Sequence, residues 1–156
     1  MTDTKTPRER SLNMARIRSA DTTPEMTVRK VLFGLGYRYR LHGKGLPGHP
    51  DIVMAGRKVV VFVHGCFWHM HPGCTKSTIP ATRRDFWEMK LKGNRLRDLR
   101  VRDALLAQGW RVLWIWQCAV TRKADVACLP ERLRDWIEGH EPFGEIPSSD
   151  NRSMTA

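Results

Sequence analysis

The sequence predicts an α/β fold with a mixed central sheet flanked by helices, and three observations predict it. Two short runs, KVVVFV at residues 58–63 and VLWIW at 112–116, are nearly continuous in apolar side chains, as strands buried on both faces of a sheet are. A second extended stretch, residues 51–54, precedes the first run across Ala55-Gly56-Arg57, which has the composition of a hairpin turn. Helical stretches alternate with these strands, and the order helix, strand, hairpin, long helix, strand, helix is that of an α/β protein with a mixed sheet.

Taken in order, residues 1–7 carry no pattern. Residues 8–19, RERSLNMARIRS, place Leu12, Met14 and Ile17 among four arginines and predict a short basic helix with a narrow apolar edge. The next helix opens at Thr23-Pro24-Glu25, with Thr as N-cap, Pro at the first helical position and an acid in the first turn. Val28, Val31, Leu32 and Leu35 follow at helical spacing, and Gly36 is the stop. Residues 37–41 read as a strand, followed by the turn-rich HGKGLPGHP. The long helix spans residues 83–108, with Gly109 at its end and Gly93 as a potential break. A last helix, residues 130–138, turns Leu133, Trp136 and Ile137 inward. Residues 140–156 predict no element.

At 156 residues the chain is one domain. Area scaling lets a chain of this size bury about two-thirds of its unfolded surface, so one hydrophobic core suffices without disulfides. A hydrophobic content of 41% argues against disorder. No apolar run approaches the roughly 20 residues of a membrane helix. Residues 1–20 lack the apolar stretch of a signal peptide, so the expected location is the cytoplasm. The 27 Lys+Arg exceed the 16 Asp+Glu by 11, a charge that attracts polyanions. Because the basic residues are spread through the chain, nucleic acid is the expected partner and a membrane surface is not.

The densest chemistry is VHGCFWHMHPGC, residues 63–74, just beyond a central strand. Cys66, His71 and Cys74, with Cys118 after the strand VLWIW, would supply three thiolates and one imidazole to a tetrahedral zinc. The alternative for such cysteines is burial as small hydrophobes, which is the expectation for Cys128. His64 and His69 share the segment, and Asp51, after Pro50, opens the strand paired with it. An acid at the start of one strand and a polar group at the end of the next can hold Mg²⁺ against a phosphate, although a Pro-Asp pair also caps turns. In the long helix Lys90, Asn94, Arg97 and Asp98 share a face. Asp98 could orient a histidine there, or form a surface salt bridge. Phe67 and Trp68 are adjacent and cannot both face one core from regular structure, so they are candidate wedges between base pairs. Trp87 suits a wedge or a core; Trp110, Trp114, Trp116 and Trp136 are core candidates.

These pieces together resemble the very short patch repair (Vsr) DNA mismatch endonucleases. The resemblance runs over about residues 8–139 and rests on RSLNMARIRSADTTPE, LPGHPDIV, VFVHGCFWHMHPGC, PATRRDFWEMKLKGN and GWRVLWIWQCA. It implies a single endonuclease domain of restriction-endonuclease-like fold over residues 1–156, with residues 8–19 as a DNA-clamping helix, 23–139 as catalytic core and 140–156 unassigned. The implied reaction nicks one strand 5′ to the T of a T:G mismatch, the lesion left when 5-methylcytosine deaminates. By the same resemblance Asp51 and the backbone carbonyl of Val63 bind catalytic Mg²⁺, and His69 is the general base held by Asp98. His64 then lies by the scissile phosphate, and Cys66, His71, Cys74 and Cys118 hold structural Zn²⁺. Phe67, Trp68 and Trp87 insert into the duplex, Met14 closes over the minor groove, and Lys90 and Asn94 lie near the mismatch. The implied protein is a monomer with functional links to a MutL-type repair protein and a cytosine-5 methyltransferase. Two departures are visible: position 63 is commonly Thr and is Val here, and Pro72-Gly73 adds one residue to the spacing between His71 and Cys74 found in some members. Against ordinary PD-(D/E)-x-K nucleases, the second acid and the Lys are replaced by Phe62-Val63-His64.

Overall fold

The computed structural model describes residues 21–148. The expected helix at residues 8–19, with Met14, lies outside the described residues. Among the described residues five strands form one sheet in the order β1 (Arg40–Leu41), β2 (Ile52–Met54), β3 (Val59–His64), β4 (Arg111–Trp116) and β5 (Phe143–Ile146). The first three pair antiparallel, whereas β4 and β5 pair parallel to their predecessors, so the sheet is mixed as expected. Three helices accompany it among the described residues: α1 (Thr23–Gly34), α2 (Arg84–Ala107) and α3 (Lys123–Glu138). None of them is long and apolar enough to cross a membrane.

Side chains alternate across a strand, and the two cores follow that alternation. Val59 and Val61 of β3 with Leu113 and Ile115 of β4 face Val28 and Leu32 of α1 and Leu129, Leu133 and Ile137 of α3. The intervening Val60 and Phe62, with Val112, Trp114 and Trp116, face the other way and pack with Leu105, Leu99 and Val101 of α2. By the same parity His64 falls on the α2 face. With 24 residues α2 is about 36 Å long, against about 20 Å for the six-residue β3. Its first half therefore runs on past the sheet, beyond the ends of β3 and β4.

Several boundaries differ from expectation. The N-cap of α1 is Thr22, whose side chain accepts from the Glu25 N–H, so the cap sits one residue early. Gly36 does follow the helix at φ +88°, the left-handed stop that a glycine provides. Residues 37–39 leave the expected strand because Tyr37 and Tyr39 pack toward the helices: the Tyr37 hydroxyl donates to Glu138 and that of Tyr39 to the Arg29 carbonyl. Gly93 does not interrupt α2. Pro130 lies inside α3, which starts at Lys123, because burial of Leu129 on the face of Leu133 and Ile137 carries the helix through the proline. Cys128, expected in the core, is exposed: it is one position, about 100° of helix, from buried Leu129.

The strand β5 is new. Its four residues, FGEI, carry no periodic signal, and tertiary contacts define it. Trp116 donates its indole N–H to Glu145, and Phe143 meets the Trp114 ring edge-on at 4.9 Å. Arg111, at the start of β4, donates to the carbonyls of Trp136, Ile137 and Glu141, satisfying the last carbonyls of α3. Gly144 lies flat under the Trp136 indole, where any Cβ would collide with the ring. Gly144→Ala should therefore destabilise the fold by about 1–3 kcal/mol, the cost of overpacking a tight contact, read as a lowered urea midpoint with an unchanged slope.

Candidate functional site

The site forms at the end of the sheet where β3 and β4 finish and β2 begins. Asp51 precedes β2 and lies on the α2 side by strand parity. Its carboxylate accepts the Val63 N–H at 2.7 Å, tying the two antiparallel strands together. Burial, offset in part by that hydrogen bond and reinforced by the charge of Glu25, pushes the Asp51 carboxyl up to about 6.

After His64 the chain folds back through a tight coil, in which His69 N–H donates to the Gly65 carbonyl and His71 N–H to that of Cys66. The coil lays the His69 ring on the His64 ring, with centroids 4.0 Å apart and planes within 7°. The His71 ring lies on Trp116 in the same way, 4.0 Å apart and within 8°. Two side chains one turn apart on α2 clamp this coil. Asn94 donates its amide to the Trp68 carbonyl at 3.1 Å, and the Asp98 carboxylate meets His69 Nδ1 at 2.6 Å. An Nδ1–H donated to Asp98 leaves the lone pair on His69 Nε2, the arrangement of a general base. His64 is buried, which holds its imidazole well below the ordinary histidine value and keeps it neutral. Its Nδ1 is buried without a hydrogen-bond partner among the described residues.

Asp51, Val63, His64, His69 and Asp98 line one cavity of about 460 Å³. The residue types expected to carry the chemistry thus converge from β2, β3, the coil and α2. Glu25 also lines it, and sequence reasoning assigns Glu25 only the role of a helix-start acid. It is 4% exposed and receives the Arg29 guanidinium at 3.1 Å, which also binds Asp21 at 2.8 Å. The one signal for this is the i,i+4 spacing of Glu25 and Arg29, which marks a pair but not its burial.

Cys66, His71, Cys74 and Cys118 form a second cluster, their donor atoms all within 4.8 Å of one another. The Cys118 N–H points at the Cys66 sulfur at 3.4 Å, and the Cys118 sulfur is 3.5 Å from His71 Nδ1. Hydrogen bonding from Cys118 draws the Cys66 thiol toward thiolate and pushes Cys118 itself up. Ser77 donates to the His71 and Cys74 carbonyls, fixing the far side of the loop. Three sulfurs and one imidazole nitrogen are the donor set of a closed tetrahedral site.

Phe67, Trp68 and Trp87 belong to neither core. They meet one another edge-on, with centroids 5.1, 5.5 and 6.0 Å apart, beside the overhanging start of α2. Phe86, which sequence reasoning passes over, joins Trp87 at 5.3 Å and is 45% exposed. Lys90 is exposed on the same half of α2.

The family model described as DNA mismatch endonuclease Vsr matches residues 2–76. The DNA mismatch endonuclease Vsr of Escherichia coli is 39% identical over 148 residues, which span 94% of each chain. The chain belongs to the Vsr family. It is also similar to the type II nicking enzyme V.XorIIP of Xanthomonas oryzae, at 48% identity over 88% of this chain and 98% of the relative. The type II nicking enzyme V.NmeAIP of Neisseria meningitidis is 44% identical over 80% and 88%.

The raised Asp51 value sets a pH dependence for this Vsr-family chain. A folded value of about 6, above the ordinary 3.8, means that the fold favours the protonated acid. Its burial costs nothing while the acid is protonated in both states, and the cost grows as pH rises through about 6. In magnesium-free buffer Asp51→Asn should be the more stable protein at pH 8, by at most about 3 kcal/mol, with the gap narrowing as pH falls toward 5 in denaturation curves.

Proposed function

We propose that the protein is an endonuclease that nicks one strand of DNA 5′ to the T of a T:G mismatch, on a restriction-endonuclease-like fold. The observation that carries this reading is the His69–Asp98 pair facing Asp51 across one cavity, with three aromatic rings of the adjoining coil and helix left outside both cores. The names of the relatives, a mismatch endonuclease and nicking enzymes, support cleavage of a single strand.

Asp51 and the Val63 carbonyl would hold Mg²⁺, and the acids around the floor of the cavity suit a hard cation. Bound there, the ion supplies positive charge that polarises a phosphate and stabilises the charge developing on it. The rest falls to the chain's own groups. His69 Nε2 takes a proton from the attacking water as its oxygen bonds to phosphorus and the phosphorus–oxygen bond to the leaving nucleotide breaks. Asp98 stabilises the imidazolium that results and fixes which nitrogen is free. Neutral His64, stacked beneath His69, lies against the scissile phosphate without adding charge. Phe67, Trp68 and Trp87 enter the base stack, where a mismatch unstacks at lower cost than a matched pair. Lys90 contacts the DNA near the mismatch. Asn94 lies beside it and holds the Trp68 backbone.

Zn²⁺ at Cys66, His71, Cys74 and Cys118 is structural, because four protein ligands leave no open coordination position. It joins the coil carrying His69 to the end of β4. The protein acts in the cytoplasm as a monomeric single domain, downstream of a cytosine-5 methyltransferase and alongside a MutL-type protein.

On duplexes differing at one position, T:G, C:G or 5-methyl-C:G, magnesium-dependent nicking is expected only at T:G, and His69→Ala should bind that duplex without cutting it. Efficient double-strand cutting of matched DNA would instead identify a restriction-type enzyme. Cys118→Ala should lose bound zinc and melt several degrees lower; stoichiometric zinc by metal analysis after that change would remove the assignment.

A further inference from the structure

The turn-rich loop between β1 and β2 carries positive charge that the reaction above does not use. Its base is closed by the His42 N–H on the Asp51 carbonyl, at 3.1 Å, and the Gly43 N–H on that of Pro50, at 2.9 Å. Gly48, at φ +71°, lies flush against Val101 of α2, where a Cβ would collide with the valine methyl groups. The loop is thereby seated on α2 one turn beyond Arg97. Across that contact Lys44, His49 and Arg97 all line the cavity, and all three are exposed. None of the three side chains has an ion-pair or hydrogen-bond partner among the described residues, although the His49 backbone N–H donates to the Leu46 carbonyl.

Charge in the cavity is sorted by depth. The acids lie low and are already engaged: Glu25 by Arg29, Asp98 by His69 and Asp51 by the Val63 N–H. Basic side chains occupy the rim, with Lys44 and Arg97 as its cations. They are not needed to neutralise the acids, and gathered around one opening they repel one another until an anion enters. We propose that Lys44, His49 and Arg97 form a phosphate-binding rim that grips the phosphodiester next to the scissile one on the cleaved strand. Arg97 offers a planar fork for two phosphate oxygens and Lys44 a point charge, while Gly48 holds both walls in register. The inference rests on the nicking function proposed above, which supplies the cleaved strand.

Binding rather than cleavage tests it. The full chain, in magnesium-free buffer, is titrated onto a T:G duplex at several KCl concentrations. Each lost phosphate contact lowers the slope of log K against log salt by about 0.9, so Arg97→Gln and Lys44→Gln should each show that decrease and Arg97→Lys should not. A second arm replaces single phosphates beside the nick position by uncharged methylphosphonates. The native chain should lose affinity several-fold at one of them on the cleaved strand, where Arg97→Gln should lose no more. Native slopes in both Gln variants, losses that add at every position, or non-additivity confined to the opposite strand would overturn the rim. A chain that shows the rim pattern but nicks no mismatch would retain the phosphate contact and refute the nicking function. Normal nicking with native slopes in both Gln variants would do the reverse.

Discussion

Everything at the site depends on the parallel register of β3 with β4, which sets His64 opposite Trp116. Parallel strands finish at the same edge, so the coil leaving His64 and the turn leaving Trp116 start side by side, and Cys66 can meet Cys118. The antiparallel pairing of β2 with β3 brings Asp51 to that same edge. Side-chain parity then puts Asp51 and His64 on the face that α2 covers. A slip of one residue in β3 would send His64 into the apolar layer under α1 and α3, and the cavity would lose one of its walls.

Upon that register α2 acts as a strut. Its second half is anchored by Leu105 in the core, and its first half reaches past the sheet to hold the coil through Asn94 and Asp98. The coil has little regular structure, yet each of its histidines has a flat partner, His64 for His69 and Trp116 for His71. Stacking fixes the ring planes and the Asp98 hydrogen bond fixes the rotation about them. The His69 ring, the base of the proposed reaction, is therefore oriented before any substrate arrives, which is where an enzyme gains most from its fold.

Much of this was legible in the sequence because the central strands, the hairpin and the long helix carry strong periodic patterns. Cys66, His71, Cys74 and Cys118, and apart from them Asp51, His64, His69 and Asp98, stand out by residue type and spacing. What escaped has physical causes. Strand β5 has four residues with a glycine and a glutamate, and only its contacts with Trp114, Trp116 and Trp136 define it. The start of α3 is masked by Pro130, a start signal that burial of Leu129 overrides. Glu25 looks like a helix-start acid because nothing local tells how deep its helix end lies. Lys44 and His49 of the cavity lining sit in a loop whose course depends on a distant valine, Val101.

The two-residue spacing between His71 and Cys74 bears on where this coil tolerates a change of length. Pro72 and Gly73 are exposed, Gly73 takes φ +70°, and the Cys74 N–H closes the turn on the His71 carbonyl at 3.3 Å. That spacing is therefore a solvent-facing turn, downstream of both stacked histidines and outside the hold of Asn94 and Asp98. A chain can gain or lose a residue there while His71, Cys74 and His69 keep their places. This stretch of the coil is open to insertion and deletion, whereas the four residues between His64 and His69 admit no change of length without separating those two stacked rings.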